Sequence, residues 1–311
     1  MNKRPIIIDT DPGIDDAVAI AIALFSDALD VRLITTVAGN VDLTKVTLNT
    51  LKLLSFFGKQ IPVAKGAERP LIRTPVYASN VHGETGMDGY AFPEPDESLL
   101  MNIHGVHAMK NMLLSSREKL TIVAIGPLTN IALLLRMYPD AAEKIEELVI
   151  MGGSVNRGNS GVLSEFNFHC DPEAAKIVID SGLKIAMAPL DVGLKALVYP
   201  EDSEKLKNMN KVGNMMYHLF KRYRGGSFNT GLKMYDSCAI AYLLCPEMFD
   251  MSFVHVSVEY KADMTAGASL VDLRGYLKKD PNVTVCLDID EKRFKKWFMD
   301  SISACDEAVV D

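Results

Sequence analysis

Short apolar runs rich in β-branched residues alternate with longer amphipathic stretches along most of this chain. An apolar run without polar alternation predicts a strand that is covered on both faces, which is typical of parallel sheets. Parallel neighbours need a crossover connection, and the amphipathic stretches supply it as helices. The alternation therefore predicts an α/β fold with a mainly parallel central sheet flanked by helices.

These runs and stretches give approximate limits for the elements. The predicted strands are Pro5–Asp9, Val31–Val37, Leu120–Ile125, Leu148–Met151, Lys184–Ala188, Val254–Tyr260 and Val283–Asp288. The predicted helices are Asp16–Phe25, Leu43–Phe57, Gly105–Ser115, Asn130–Met137, Pro172–Ser181, Pro200–Met209, Ser237–Leu244 and Glu291–Ala304. The long stretches that we predict to be irregular are Lys65–Pro95, Gly152–Asp171 and Tyr223–Asp236. Irregular stretches of that length inside a compact domain usually carry function.

No low-complexity linker and no internal repeat divides the chain, so we predict one domain that covers residues 1–311. Ligands of open α/β sheets bind beyond the carboxyl ends of the strands. We therefore expect the active site at that edge of the sheet, among residues that directly follow predicted strands.

The composition excludes several classes of function. The net charge is −7 and Lys and Arg are scattered, so neither a nucleic-acid surface nor an anionic-membrane surface is predicted. The five cysteines are odd in number and form no C-x-x-C pair, which argues against a disulfide framework and a zinc ribbon. The scattered charge instead suggests a small neutral substrate. No signal peptide pattern and no membrane-length apolar run occurs, which predicts a cytoplasmic protein.

Four carboxylates follow the first predicted strand: Asp9, Asp11, Asp15 and Asp16. Asp9 and Asp11 project to the same side of an extended chain, and Asp15 and Asp16 open the next predicted helix, whose N-terminus favours acids. Helix capping explains one of them. Four together repel one another strongly unless a cation is present. Hard oxygen ligands without His or Cys select calcium or magnesium over zinc.

A hydrophobic strand that ends in D-x-D also resembles the start of the haloacid-dehalogenase phosphatases. Their pattern has Thr or Val two residues after the second Asp, where this chain has Gly13. They also lack a further acidic pair such as Asp15-Asp16. A phosphatase of this kind is the alternative enzymatic function.

Segments spread over essentially the whole chain resemble, in matching order, the inosine–uridine-preferring nucleoside hydrolases. The acidic segment Asp9–Ala17 is similar to the signature of that family. The other matching segments are Thr35–Asn40, Val81–Gly86, Gly126–Asn130, Met151–Gly153, Glu165–Asn167, Asp171–Ala175 and Tyr235–Ala239. The resemblance is closest to broad-specificity bacterial ribonucleoside hydrolases. It implies calcium-dependent hydrolysis of purine and pyrimidine ribonucleosides by a Rossmann-like domain, in homodimers or homotetramers.

The resemblance also implies roles for individual residues. Those implied to coordinate calcium are Asp11, Asp16, Asp236 and the backbone carbonyl of Ile125. Asp11 would also be the general base toward a water that calcium binds. Those implied to bind the ribose are Asp15 and Asn167 at the 2′- and 3′-hydroxyls, Asn159 and Glu165 at the 5′-hydroxyl, and Asn40 and Met151 along the sugar. His82 and Tyr223 would lie in loops that close over the base.

These residue types suit the reaction, because cleavage of the N-glycosidic bond builds positive charge on the ribose and carboxylates stabilise that charge. Asn and Asp supply the paired donors and acceptors that recognise a diol. Without the resemblance, these residues also have purely structural explanations. Asn40 could be a turn residue, Asn159 an ordinary loop residue, and Asp236 a helix N-cap. Likewise, Met151 fits the core and Tyr223 fits the surface.

Many relatives in this family carry His immediately before the last metal aspartate, whereas this chain has Tyr235. A neutral phenol donates a hydrogen bond to a departing base but does not arrive as a cation. A Tyr235 that only stacks on the base is the open alternative. The alternative from another class is a non-catalytic ribose- or nucleoside-binding protein, which needs the diol-binding residues but not the arrangement of Asp11, metal and water.

Overall fold

The protein was analysed as a computed structural model that describes residues 3–227 and 229–306. Its strands are β1 (Arg4–Thr10), β2 (Leu29–Thr36), β3 (Val63–Lys65), β4 (Leu120–Ala124), β5 (Ile145–Met151), β6 (Ile185–Ala188), β7 (Leu197–Val198), β8 (Gly226–Ser227), β9 (Gly231–Lys233), β10 (Phe249–Val258), β11 (Ser269–Asp272) and β12 (Val283–Ile289). Its α-helices are α1 (Ile14–Phe25), α2 (Leu43–Phe57), α3 (Ser79–His82), α4 (Gly105–Ser115), α5 (Thr129–Met137), α6 (Pro139–Ala142), α7 (Phe166–Cys170), α8 (Pro172–Ile179), α9 (Leu190–Gly193), α10 (Pro200–Lys207), α11 (Lys211–Phe220), α12 (Tyr235–Leu244) and α13 (Glu291–Ser303). Short 3-10 helices cover Glu97–Leu99 and Pro246–Met248.

In the described part of the chain, nine strands form one sheet in the order β11-β10-β12-β6-β5-β4-β1-β2-β3. Neighbours from β3 to β12 run parallel, and β10 pairs antiparallel with both β12 and β11 at one edge. The strands β7, β9 and β8 form a small separate sheet. The prediction of a mainly parallel central sheet flanked by helices is confirmed.

Successive side chains of the central strands point to opposite faces of the sheet. Ile6 and Ile8 of β1 belong to the apolar cluster beneath α1, α2, α11, α12 and α13. Ile7 belongs to the cluster beneath α4, α5 and α8. Complete burial of each such side chain stabilises the fold by about 1.5–3 kcal/mol. Both faces of β1 are therefore dry, as its unbroken apolar sequence predicts.

Several short elements lie where the sequence predicts irregular structure, and that prediction is wrong for them. Helix α3 lies within the first long stretch, α7 within the second, and β8 and β9 within the third. Elements this short have no periodic signal, and contacts with the rest of the fold determine them. Helix α11 is different, since the sequence analysis omits it although its apolar residues have helical spacing. Those buried residues are Val212, Met215, Met216, Leu219 and Phe220.

A buried hydrogen-bond network fixes the carboxyl ends of β1 and β2. Asp9 Oδ1 accepts hydrogen bonds from Thr35 Oγ1 at 2.5 Å and from Asn130 Nδ2 at 2.8 Å. Asn130 Nδ2 also donates to the carbonyl of Thr36, and Asn130 Oδ1 accepts from the Ala67 N–H. Asn130 is completely buried at the start of α5. One amide therefore ties β1, β2 and the loop after β3 together beside the expected site.

None of the helices in the described ranges is both long and apolar enough to cross a membrane. The cytoplasmic location of the protein stays a prediction. The limits of the single domain, residues 1–311, also stay a prediction.

We expect Asn130→Ala to lower the free energy of unfolding by about 3 kcal/mol or more, because buried groups left without a partner cost about 1–3 kcal/mol each. Urea unfolding measures this change. The matched control is Asn214→Ala, which removes only an exposed hydrogen bond to the Lys207 carbonyl and should shift the value by less than about 0.5 kcal/mol. Equal shifts in the two variants would contradict the role of the network.

Candidate active site

A cleft of about 350 Å³ opens at the carboxyl ends of β1, β2, β4 and β5. It brings together most of the residues that the sequence analysis singles out. The predicted site residues that line it are Asp15, Asn40, His82, Ile125, Met151, Asn159, Glu165, Asn167, Tyr223, Tyr235 and Asp236. Asp11 and Asp16 do not line the cleft; they are buried, and Asn40 connects them to it. The site residues therefore form one constellation although they are far apart in sequence.

The acidic residues converge where β1 meets α1. Asp16 accepts hydrogen bonds from Thr10 Oγ1 at 2.7 Å and from the Gly13 N–H at 2.9 Å. Asp15, Asp16 and Asp236 each offer a carboxylate oxygen, and these atoms lie within 4.8 Å of one another. Asp236 comes from the first turn of α12, so the cluster joins the N-terminal ends of two helices. Helix N-termini favour negative charge, but they do not neutralise a group of this size.

Burial dominates the acid–base behaviour of this cluster. Burial, together with the charge of Asp16, raises the pKa of Asp11 well above its usual range. Burial raises the pKa of Asp15 to about 8, and burial with the charges of Asp15 and Asp16 also raises the pKa of Asp236. A divalent cation would favour the ionised forms and reverse these shifts. The chemistry of the cluster therefore fits a hard metal ion.

Asp11 shows a second sign of an unsatisfied ligand. Its Oδ2 accepts a hydrogen bond from the Asn40 N–H at 2.7 Å, whereas its buried Oδ1 has no hydrogen-bond partner. Such an oxygen is costly to bury unless something binds it. A Cβ at Gly39 would lie 2.1 Å from Oδ2, and a Cβ at Gly126 would lie 2.6 Å from Oδ1. These two glycines thus let the backbone approach the carboxylate closely.

The implied metal ligands and the observed cluster overlap in part. Asp16 and Asp236 belong to both groups, whereas the cluster within 4.8 Å contains Asp15 and not Asp11. The carbonyl of Ile125 accepts a hydrogen bond from Asn167 Nδ2 at 3.1 Å. The individual ligand assignments therefore stay predictions.

Glu165 and Asn167 organise the opposite wall of the cleft. Glu165 caps α7 and accepts hydrogen bonds from the N–H groups of Gly153, Asn167 and Phe168 at 2.9, 2.9 and 3.2 Å. Asn167 Nδ2 also donates to the carbonyl of Met151 at 3.1 Å. Burial raises the pKa of Glu165 to about 7, although the N–H donors act in the opposite direction. These hydrogen bonds join the end of β5 and Gly153 to the first turn of α7, and they hold this wall rigidly.

Asn159 lies in an exposed part of the loop before α7. Its Oδ1 accepts a hydrogen bond from the Phe166 N–H at 2.9 Å. The side-chain amide group is therefore the part of Asn159 that remains available to donate to a ligand.

Two loops meet on the remaining side of the cleft. The Arg224 N–H donates to the Val81 carbonyl at 2.9 Å, and the rings of His82 and Tyr223 lie 5.4 Å apart. His82 Nδ1 accepts a hydrogen bond from the Ile14 N–H at 3.1 Å, and burial lowers the pKa of His82 to about 3. The imidazole is therefore neutral and carries its proton on Nε2. The interpretation of Tyr223 as a surface residue is wrong, because its side chain is buried.

Tyr235 begins α12 beside these loops and is partly buried. Burial, reinforced by the charges of Asp15 and Glu165, raises its pKa above the usual value. The phenol therefore stays protonated over the whole neutral range and keeps a hydrogen bond to donate.

The sequence analysis missed further residues that line this cleft. Val76 and Tyr77 come from the loop before α3, Arg224 precedes β8, and Lys233 is the last residue of β9. They lie in stretches without periodicity, and no local pattern distinguishes them from ordinary loop residues. Only the packing of the two loops against each other shows that they share the site.

Comparison with known proteins identifies the family. Residues 6–296 match the family described as inosine-uridine preferring nucleoside hydrolase. The chain belongs to this family. It is 48% identical over 295 residues to the non-specific ribonucleoside hydrolase RihC of Escherichia coli (strain SMS-3-5 / SECEC), covering 95% of this chain and 97% of the relative. The predicted membership of the family, and with it the prediction of an enzyme, is confirmed.

Solved structures of nucleoside hydrolases have the same fold as this chain. The inosine-guanosine nucleoside hydrolase has a TM-score of 0.89 at 31% identity, covering 96% of this chain and 98% of its own. A purine-preferring ribonucleoside hydrolase from Gardnerella vaginalis has a TM-score of 0.89 at 26% identity, covering 97% and 99%. These matches exclude the haloacid-dehalogenase phosphatase, and membership of this enzyme family disfavours a purely binding protein.

The raised pKa of Glu165 predicts how this nucleoside hydrolase responds to pH. A carboxyl whose pKa rises from 4.5 to about 7 on folding contributes stability below pH about 4.5, and loses it as pH rises through about 7. We expect the free energy of unfolding of the metal-free parent to fall more between pH 5 and 8 than that of Glu165→Gln. Urea unfolding at the two pH values measures the difference. The exposed control Glu146→Gln should keep the parental pH dependence; a Glu165→Gln variant that also kept it would contradict the prediction.

Proposed function

We propose that this protein hydrolyses the N-glycosidic bond of purine and pyrimidine ribonucleosides in a calcium-dependent reaction that releases ribose and the free base. The observation that carries the proposal is the unpartnered Oδ1 of Asp11, buried beside the cluster of Asp15, Asp16 and Asp236. This arrangement offers a proton acceptor and a hard cation site next to the cleft, which Asp15 and Asp236 line. The resemblance to the nucleoside hydrolase family supports the same function.

Asp11, Asp16, Asp236 and the carbonyl of Ile125 would hold the calcium ion. When bound, calcium lowers the pKa of water and orients the hydroxyl groups of the sugar. The fit rests on the donor set, which consists of carboxylate and carbonyl oxygens alone. It also rests on the raised pKa values of Asp11, Asp15 and Asp236, which a cation would reverse.

Asp11 is the proposed general base. The Asn40 N–H holds its Oδ2, so Oδ1 is free to accept a proton from the attacking water. As the glycosidic bond breaks, positive charge grows on the ribose. The carboxylates of the acidic cluster stabilise that charge electrostatically.

The ribose hydroxyls would be held from both walls. Asp15 and Asn167 are proposed at the 2′- and 3′-hydroxyls, and Asn159 and Glu165 at the 5′-hydroxyl, between Asn40 and Met151. Asn167 is already fixed by its hydrogen bonds to the carbonyls of Ile125 and Met151. Fixed partners lose little freedom when a sugar binds, which favours an accurate position for the reacting carbon.

His82, Tyr223 and Tyr235 are proposed to enclose the base. The neutral imidazole of His82 and the phenol of Tyr235 can donate hydrogen bonds to the base as negative charge develops on it. The resemblance to the family further leads us to propose a cytoplasmic homodimer or homotetramer.

Metal removal tests the proposed function. Metal-stripped protein should not release ribose from inosine or uridine, and added calcium should restore turnover, because the acidic cluster then regains its cation. A reducing-sugar assay measures the product, and thermal unfolding verifies that the stripped protein is folded. Uridine 5′-monophosphate is the matched control, since its phosphate meets the charge of Glu165 and should make it a poor substrate. Full turnover without metal, or equal kcat/KM for uridine and its monophosphate, would refute the proposal.

We expect Asp11→Asn to lower kcat by on the order of 10²–10⁴, the usual contribution of a general base. KM should change less than kcat, because the amide preserves the shape of the site. Steady-state kinetics on inosine and uridine measure both. Asp27→Asn, at an exposed position, is the control and should match the parent; near-normal kcat in Asp11→Asn would assign the base to another residue.

The phenol of Tyr235 is expected to matter most for substrates with poor leaving groups. Tyr235→Phe removes the hydrogen-bond donor and keeps the ring, so kcat should fall on inosine and uridine more than on an activated nitrophenyl riboside. Calcium affinity should stay unchanged. Equal losses on all three substrates would exclude the leaving-group role, and no loss on any would leave Tyr235 as a packing residue.

A further inference from the structure

The ring of Tyr235 lies directly against the backbone of Gly193, the last residue of α9. A Cβ built on Gly193 would lie 2.1 Å from Tyr235 Cδ1, 2.9 Å from Cε1 and 3.1 Å from Cγ. Carbon atoms in van der Waals contact are about 3.5–4.0 Å apart. Any residue other than glycine at position 193 would therefore move the ring.

The backbone itself does not require glycine here. Gly193 is not among the glycines with positive φ, so residues with a side chain can adopt its backbone conformation. It is buried. The tyrosine ring is thus the physical reason for a glycine at this position.

Helix α9 is firmly anchored to the rest of the site. The Leu190 N–H donates to the Gly153 carbonyl at 2.9 Å, and Asp191 Oδ2 accepts from the Val155 N–H at 2.6 Å. Gly153 also donates to Glu165, on the proposed ribose wall. The surface on which the ring lies is therefore fixed relative to that wall.

We propose that Gly193 is a positioning residue for Tyr235: its missing side chain provides the space for the ring, and this sets where the phenol enters the base side of the cleft. The inference rests on the proposed function, in which Tyr235 contacts the departing base. It extends that function by naming the residue on which the orientation of the phenol depends.

Gly193→Ala should push the ring away from α9 and toward the cleft. A displacement of about 1 Å near reacting groups can cost up to about 10²-fold in rate. We expect kcat/KM on inosine and uridine to fall on the order of tenfold or more. The loss on the activated nitrophenyl riboside should be smaller, as for Tyr235→Phe. Thermal unfolding should show a folded variant with a lowered midpoint, because overpacking a buried site costs about 1–3 kcal/mol.

A double-mutant cycle separates positioning from general damage. In the Tyr235→Ala background, where no ring remains to be displaced, Gly193→Ala should cause no further loss of kcat/KM. Leu194→Ala, at the adjacent residue, whose side chain is 43% exposed, is the control and should match the parent in both backgrounds. An equal loss from Gly193→Ala with and without the ring would overturn the proposal.

A crystal structure of Gly193→Ala gives a readout that does not depend on activity. A displaced Tyr235 ring supports the proposal, and an unmoved ring overturns it. A displaced ring with parental kinetics on all three substrates also overturns it, because orientation would then not matter. If the parent protein fails to hydrolyse any nucleoside, the proposed function fails, whereas the position of the ring still decides whether Gly193 positions it.

Discussion

Four carboxylates share a region from which water is largely excluded, and the rest of the site is arranged around that constraint. Burial raises the pKa of every member of the set formed by Asp11, Asp15, Asp16 and Asp236, and repulsion from neighbouring carboxylates adds to the rise for Asp11, Asp15 and Asp236. Backbone N–H groups, a threonine hydroxyl and two helix N-termini compensate part of this cost. The part that remains is the driving force for binding a cation.

The sheet makes such a cluster possible because it is dry on both faces and rigid at its edge. The hydrogen bonds among Asp9, Thr35 and Asn130 fix the carboxyl ends of β1 and β2. Gly39 and Gly126 then bring two loop backbones against Asp11 at distances that a side chain would forbid. The stability of the fold and the geometry of the site thus depend on the same few residues, so we expect mutations in the network to affect both.

The sequence predicts the central strands and the acidic cluster after β1 because both have recognisable patterns within a short stretch of sequence. An apolar run indicates a parallel strand, and closely spaced aspartates after β1 indicate a cation site whichever residues complete it. Asn167, Glu165 and Asp236 become recognisable only through resemblance to a family. Val76, Lys233 and Gly193 have no signal at all, since their roles depend on which loops meet in three dimensions. Helix α11 is the exception, because its apolar spacing was available in the sequence.

The two sides of the cleft differ in charge, and this difference suits the proposed reaction. Aspartates and Glu165 surround the proposed ribose position, where positive charge develops. On the base side, His82 is kept neutral by burial and by the Ile14 N–H on its Nδ1, and Tyr235 is a neutral phenol. Neutral donors stabilise growing negative charge on a base without placing a cation beside the ribose carbon. The contribution proposed for Tyr235 therefore depends on how accurately its ring is oriented toward the base.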